Sequence, residues 1–427
     1  MKEFPLIPKK WHKDINCVDL VFPNKYHGGI YSLGLLVLYN IINARKNWLG
    51  NRVFLDSGKI SSKMIGFSLQ YELDYYNVLE MLKNKLDKHK RKEIVFAGGP
   101  VVNSNPYLLE KYMDFLVLGE VEESIQDIMD NYDNDKKKFL ENISNIKGVY
   151  VPGISKKKQY RFVKNLDKVP YPMYQPMPEE KNKKYVFGKP FILEIDRGCI
   201  FKCKFCALPN YYKNFKFRSL KKIKEIVDKG VEINKRDKVI IYSASFSHPK
   251  RKEILQFLLD KNLKYSVPST RVETLDEELI DLIVKGGQKT LTLAPETNEK
   301  MRFELGKKTK DEMFFNIIDI ANRKNLDTLK YYFLFGLPGQ KEKDLVEMIE
   351  LMKKLKKKFK GKTHFSLNPL VSKLGSEYSN HNFDYGLVKR QAKFFRKELS
   401  KAHLKFKIAN LALSKKEYEL SRKNFKI

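Results

Sequence analysis

Three cysteines stand in one short run, Cys199-Ile200-Phe201-Lys202-Cys203-Lys204-Phe205-Cys206, preceded by Arg197-Gly198. The remaining cysteine, Cys17, is distant in the chain. Clustered thiols outside a dense disulfide framework point to metal chemistry. A closed structural zinc site takes four ligands. Three thiolates instead suit a cubane 4Fe–4S cluster with one iron left open. That iron needs an outside chelator, and the α-amino carboxylate of S-adenosylmethionine is one. A low-potential electron can then break the sulfur–carbon bond and release a 5′-deoxyadenosyl radical, while the protein orients the cofactor and excludes water. On this reading Cys199, Cys203 and Cys206 ligate the cluster, and Phe205 lies against the adenine. The alternative is a zinc site completed by Cys17 or a histidine, in a non-catalytic RNA-binding protein.

Such a loop needs a rigid mount. From Pro190 the sequence alternates short apolar runs with amphipathic stretches. Strands are expected at Phe191 to Ile195, Val239 to Tyr242, Leu263 to Val267, Thr290 to Leu293, Leu329 to Phe335 and His364 to Leu367. Helices are expected between them, at Leu220 to Val227, Lys250 to Leu259, Asp276 to Lys285, Lys310 to Arg323 and Lys341 to Leu355. About six β/α units make a partial TIM-like barrel, with the motifs at the carboxyl ends of the strands. Residues 190–385 are assigned to it, and the basic segment 386–427 is expected to be helical.

Residues 1–150 show a second alternation. Strands are expected at Val18 to Phe22, Arg52 to Leu55, Met64 to Ser68, Glu93 to Ala97 and Phe115 to Leu118, with helices at Tyr31 to Ala44 and Tyr75 to His89. That order gives a doubly wound parallel sheet of Rossmann or flavodoxin-like type, in an α/β protein overall. Ligands on such sheets bind past the carboxyl ends of the strands. Residues 151–189, with Pro170, Pro172, Pro176 and Pro178, read as a linker.

The chain has 427 residues, of which 42% are hydrophobic and 12% aromatic, enough for two cores. Four cysteines exclude a secreted disulfide scaffold. No apolar run is long enough to span a bilayer, so a cytoplasmic protein without a membrane partner is expected. Lys and Arg number 83 against 51 Asp and Glu, a net charge of +32. Such a field attracts polyanions, RNA among them, although a lysine-rich proteome produces the same balance. Thirteen Lys or Arg against four Asp or Glu fall between Asn380 and Ile427.

With Arg-Gly in front and a strand before it, the cysteine loop resembles that of the radical S-adenosylmethionine superfamily. Ser269-Thr270-Arg271, Gly286 to Thr297, and Tyr332-Phe333-Leu334-Phe335-Gly336-Leu337-Pro338-Gly339-Gln340 extend the resemblance. It implies that Arg271 clamps the cofactor carboxylate and Glu296 accepts from the ribose hydroxyls. It implies too that Gly336 and Gly339 let backbone approach the purine. Many members have Gly-Gly-Glu for the amino group where this chain has Ser243-Ala244-Ser245, which leaves Ser243 and Ser245 as the acceptors.

The first section resembles the cobalamin-binding-like domain fused ahead of many such enzymes. The segments that carry it hold Tyr26, Gly98, Gly99, Gly119 and Glu120, the implied cofactor contacts. The Asp-x-His-x-x-Gly cobalt motif is missing, and His27 before Gly28-Gly29 lacks its aspartate. Three readings follow for this domain: cobalamin held without a histidine, a domain that docks substrate, or another ligand. The family implies a reductant such as ferredoxin or flavodoxin, and either a methyltransferase or RNA-modifying activity or action on a small molecule or protein. A methylthiotransferase needs a second cluster, for which only Cys17 is left over.

Overall fold

The computed structural model describes residues 2–9, 12–179, 185 and 187–425. Residues 180–184 and 186 of the expected linker, and Lys426 and Ile427 of the C-terminal segment, lie outside the described residues. Two compact units are present. One is Met1–Ile192 with Asn210–Arg236 and Leu420–Ile427; the other is Leu193–Pro209 with Asp237–Glu419.

The first unit is built on β1 (Asn16–Phe22), β2 (Trp48–Phe54), β3 (Met64–Ser68), β4 (Ile94–Gly98), β5 (Phe115–Val117) and β6 (Val149–Tyr150). Their order is β2-β1-β3-β4-β5-β6, parallel except for the last pair. A parallel sheet is covered on both faces, so its strands are apolar throughout. Alternate side chains divide between two cores. Val18, Leu20, Phe22 and Phe96 pack with the helix Leu33–Ala44, and Val21, Val95 and Ala97 pack with the helix Asp74–Leu82. That second helix stops seven residues short of the expected His89. The polar run Lys83–Lys85 leaves it as a 3-10 turn, with Lys83 at φ +37°.

Residues 151–179 belong to the first unit and bury Val163, Leu166 and Val169 together. Gln175 is buried there; its side chain donates to the Ile192 carbonyl at 2.9 Å and accepts from the Ile192 N–H at 2.7 Å.

The barrel strands are β7 (Phe191–Glu194), β8 (Lys238–Tyr242), β9 (Lys264–Ser266), β10 (Thr290–Glu296), β11 (Thr328–Phe335) and β12 (Lys362–Pro369). A further strand, β13 (Phe406–Ile408), pairs parallel with β12 inside the segment expected to be helical. Its three residues are too few for a period to be legible. The order is β9-β8-β7 in one sheet and β10-β11-β12-β13 in the other. Helices Glu277–Lys285, Asp311–Arg323 and Glu342–Lys358 follow β9, β10 and β11 in chain order. The first is started by Asp276, whose carboxylate accepts from the Leu279 N–H at 2.8 Å. Helix Tyr385–Lys401 follows β12.

Candidate active site

The cysteine loop leaves β7 through a buried pair, with Arg197 forked onto both oxygens of Glu194 at 2.8 and 3.0 Å. Gly198 then turns at φ +89°. Each thiol sulfur receives an N–H. Phe201 N–H points to Cys199 Sγ at 3.4 Å, Leu208 N–H to Cys206 Sγ at 3.5 Å, and Arg271 Nη1 to Cys203 Sγ at 3.1 Å. Donors aimed at sulfur favour the thiolate, the form that binds metal.

The loop is clamped from outside. Lys204 N–H donates to the Leu305 carbonyl at 3.0 Å, and Tyr378 N–H to the Lys204 carbonyl at 3.3 Å. Gly306, at φ +76°, lets the chain pass so close that a Cβ there would stand 3.0 Å from the Lys202 carbonyl. Phe205 packs with Met301, Leu305, Leu337 and Leu370. Its ring therefore anchors the loop in an apolar cluster, a role the sequence reading did not give it.

Burial pushes the Cys203 thiol up against the opposing pull of Arg271 and Lys307. Burial pushes Cys206 to about 11, and Cys203 and Cys199 add to the rise. Cys199 and Cys203 thus lie within electrostatic reach of Cys206. Among the described residues no three His, Cys, Asp or Glu side chains meet on a single metal ion. Cys17 sits on β1 of the first unit with its sulfur toward the Ile15 carbonyl at 3.9 Å. The donor set fits a multi-iron cluster carried by three sulfurs.

Around the loop, the second unit gathers some expected residues and adds others. Arg271 is already engaged: its Nε bonds Glu273 at 2.6 Å and its guanidinium lies 3.8 Å from the Phe201 ring centre. Glu296 ends β10 at φ +65°, and Lys307 Nζ bonds its carboxylate at 3.0 Å. Ser243 Oγ donates to Asp196 at 2.5 Å, and the Ser245 and Ser247 hydroxyls bond each other at 2.8 Å.

Asp196 and Lys307 were missed in the sequence, where each reads as one more charge in a highly charged chain. Asp196 is 1% exposed and its Oδ2 is buried without a partner. Burial, opposed by the Ser243 hydrogen bond, pushes its carboxyl up to about 7.

The Gly336 N–H is accepted by Gln340 at 2.8 Å and Gln391 at 2.9 Å, and a Cβ there would press on Val388 at 3.0 Å. Packing of helix Tyr385–Lys401 therefore accounts for a glycine at 336. Gly339, at φ +72°, has open space beside it and remains free for close approach.

In the first unit, Gly98, Gly99, Gly119 and Glu120 gather at the carboxyl ends of the neighbouring strands β4 and β5. Tyr26 follows β1, two strands away in the sheet order. Its hydroxyl donates to Glu3 at 2.7 Å. Gly99 and Gly119 have φ of +109° and +100°, and a Cβ would strike the Leu69 and Arg161 carbonyls at 2.4 and 2.0 Å. Asn103 bonds both the N–H and the carbonyl of Gly119. Glu120 is paired with Lys216 at 2.7 and 2.8 Å. The His27 ring stacks on Tyr185, with centroids 5.5 Å apart. What this edge offers a corrin is loop backbone, with the Tyr26 and Glu120 side chains already held by the protein.

Two family models match the chain: "Radical SAM proteins, N-terminal" over residues 59–152 and "Radical SAM superfamily" over residues 193–352. An uncharacterized protein of Methanocaldococcus jannaschii is 32% identical over 403 residues, covering 93% of this chain and 86% of that one. The ribosomal protein uS12 methylthiotransferase RimO of Petrotoga mobilis is 26% identical over 191 residues, 41% of this chain and 42% of that one. Among solved structures, the radical S-adenosylmethionine methyltransferase TsrM from Kitasatospora setae, with cobalamin and a [4Fe-4S] cluster bound, superposes with a TM-score of 0.61 at 15% identity. The superposition covers 83% of this chain and 72% of TsrM. The cobalamin-dependent radical enzyme OxsB gives 0.58 at 13% identity, over 79% of this chain and 52% of OxsB. At these identities the likeness is one of fold, spanning both the parallel-sheet domain and the partial barrel.

Proposed function

This chain belongs to the radical S-adenosylmethionine superfamily, enzymes that use a 4Fe–4S cluster and S-adenosylmethionine, and we propose that Cys199, Cys203 and Cys206 hold its cluster for reductive cleavage of that cofactor. The observation that supports the assignment is the set of three sulfurs on one loop, each met by an N–H. When held by these three cysteines and fed by a one-electron donor such as ferredoxin or flavodoxin, the cluster and S-adenosylmethionine would supply radical chemistry for hydrogen abstraction from a substrate carbon.

The chain's own residues do the rest. Arg271 holds the charge on Cys203. Lys307 fixes the Glu296 carboxylate at the end of β10, beside the thiols, for the ribose hydroxyls. Asp196, just after β7, accepts from Ser243, just after β8, and ties the ends of these two strands together. Gly339 leaves room for the purine. Ala207 and the packed Phe205 help keep bulk water from the cysteine side of the loop.

A second reading, a cobalamin-dependent methyltransferase, is supported by the fold likeness to TsrM across both modules. The corrin would rest on the loops at Gly98–Asn103 and Gly119–Glu122, without a histidine from the position of His27. Free thiols at all four cysteines suit a reducing cytoplasmic setting. Among the described residues no helix is long and apolar enough to cross a membrane.

The test is anaerobic purification with iron, sulfide and cobalt assays, then dithionite reduction with S-adenosylmethionine and chromatography for 5′-deoxyadenosine. Iron near four per chain (about the cubane content) with deoxyadenosine formed is the expected result. Background iron and no nucleoside product would overturn the proposal. Background cobalt after cobalamin supplementation would remove the second reading alone.

A further inference from the structure

The second unit carries, on the inner wall of the barrel, a row of basic side chains with no ion pair among the described residues. Along β11, Leu329, Tyr331, Phe333 and Phe335 are fully buried. Phe335 meets Phe395 of helix Tyr385–Lys401 edge-on at 5.6 Å, so this set faces the helices. The alternate set, Lys330, Tyr332 and Leu334, therefore faces the interior of the open barrel. Register carries that face across the sheet. Thr292 of β10 lies beside Lys330, and Lys330 beside His364 of β12. Lys405, just before β13, lies level with His364, because its carbonyl accepts from the Phe365 N–H at 3.0 Å. One step toward the carboxyl ends, Tyr332, Ser366 and Lys407 form the next row. Lys362 lies two residues before His364 on the same face.

Lys330, Lys362, Lys405 and Lys407 are exposed, and among the described residues none of them has an ion pair. Elsewhere in the same unit many lysines have acidic neighbours. Neighbouring strands are about 4.8 Å apart, and like charges placed opposite one another are destabilising. The His364 imidazole records the crowding: burial and the fields of Lys405, Lys330 and Lys362 all push it down. Tyr332, 41% exposed, adds an aromatic face to the same wall.

We infer that this inner-wall row, Lys330, His364 and Lys405 with Lys362 and Lys407 beside it, binds the phosphate groups of the substrate. Five residues separate Lys330 from the carboxyl end of β11, roughly 16 Å at strand rise. A phosphorylated molecule long enough to span that distance can therefore be anchored at the row and present a remote carbon at the cysteine end. Binding energy at the remote anchor then fixes the reacting carbon in place. The inference rests on the reading of this unit as a radical enzyme whose substrate enters the barrel.

The test uses the cluster-loaded full chain with inorganic tripolyphosphate and bulk tRNA as probes. Lys330→Gln/Lys405→Gln is compared with Lys354→Gln/Lys357→Gln, which removes the same charge from the helix Glu342–Lys358. Tripolyphosphate affinity falls at least tenfold in the first pair and less than twofold in the second. Equal weakening in both pairs would show only the general positive field and overturn the inference. In the wild type, saturating tripolyphosphate should move the His364 ring resonances and raise the pH at which they titrate; unmoved resonances also overturn it, without relying on a variant. Competition between tRNA and tripolyphosphate assigns the phosphates to a nucleic-acid strand, and tripolyphosphate binding without competition assigns them to a small phosphate ester. Both uphold the site. Iron and deoxyadenosine are measured on the same samples. A missing cluster defeats the enzymatic reading, whereas normal deoxyadenosine with no tripolyphosphate site defeats this inference alone.

Discussion

Arg271 donates to the sulfur of Cys203 at 3.1 Å while Glu273 holds its Nε at 2.6 Å. The guanidinium is thereby fixed against the sulfur and stacked on Phe201. A positive donor at a ligand sulfur stabilises the more negative, reduced cluster. Arg271→Gln should move the cluster potential to a more negative value, and a tenfold change in the one-electron equilibrium is about 59 mV. Potentiometric titration followed by electron paramagnetic resonance, without S-adenosylmethionine, reads it. An unchanged potential with weakened cofactor binding would return Arg271 to the carboxylate-clamp role expected from the sequence.

Cys203 sits between the other two ligands in the loop, so its loss opens a second corner of the cubane. Cys203→Ala should lower iron from about four per chain to background and abolish deoxyadenosine. The parallel sheet of the first unit contains none of these ligands and should keep its far-ultraviolet circular dichroism. Full iron retention would reject the ligand assignment.

Glu120 and Lys216 form a buried pair, with side chains 3% and 10% exposed. Val163 N–H also donates to Glu120, so the carboxylate ties residues 161–163 to the end of β5. Lys216→Met removes one cation from a buried carboxylate and should cost up to about 3–5 kcal/mol. Adding Glu120→Gln removes the carboxylate charge as well and should recover part of the loss. Thermal melting of the single and double variants measures both, and no drop in the single variant would show the pair to be dispensable.

Asp74 is 2% exposed and accepts from Asn24 at 2.9 Å. Burial outweighs its hydrogen bonds and lifts the carboxyl to about 6. Its folded value lies above the unfolded one, so the folded state holds this proton more tightly. The contribution to stability is complete below about pH 4 and is lost as the pH rises through about 6. Asp74→Asn should remove that part of the falling slope between pH 4 and 6. A denaturation series across the window shows it, and identical slopes in both proteins would contradict the assignment.

Much of the scaffold was legible because parallel strands buried on both faces are written as unbroken apolar runs. Met64 to Ser68 is one such run, and its limits agree with those of β3. Phe406–Ile408 was hidden because its pairing with Phe365–Leu367 is supplied by a neighbouring strand. Helix Asp74–Leu82 was overextended because Lys83–Lys85 suits a helix in composition and lacks an apolar side to hold it there.

The site divides in the same way. Cys199, Cys203 and Cys206 are close in the chain, so spacing alone brings their sulfurs within reach of one another. Lys307, Asp196 and the clamp from Leu305 to Lys204 could not be read, because partners distant in sequence meet only when strands are set side by side.

What the sequence determined by itself is therefore local: three thiols on one loop, the alternation that builds two parallel α/β modules, and the excess of positive charge. Only the tertiary structure decided which charges stand unpaired together. Lys330, His364 and Lys405 are 34 and 41 residues apart in sequence, and parallel register sets them side by side on one face. Charge is a property of residues, but a binding surface is a property of their spacing in three dimensions.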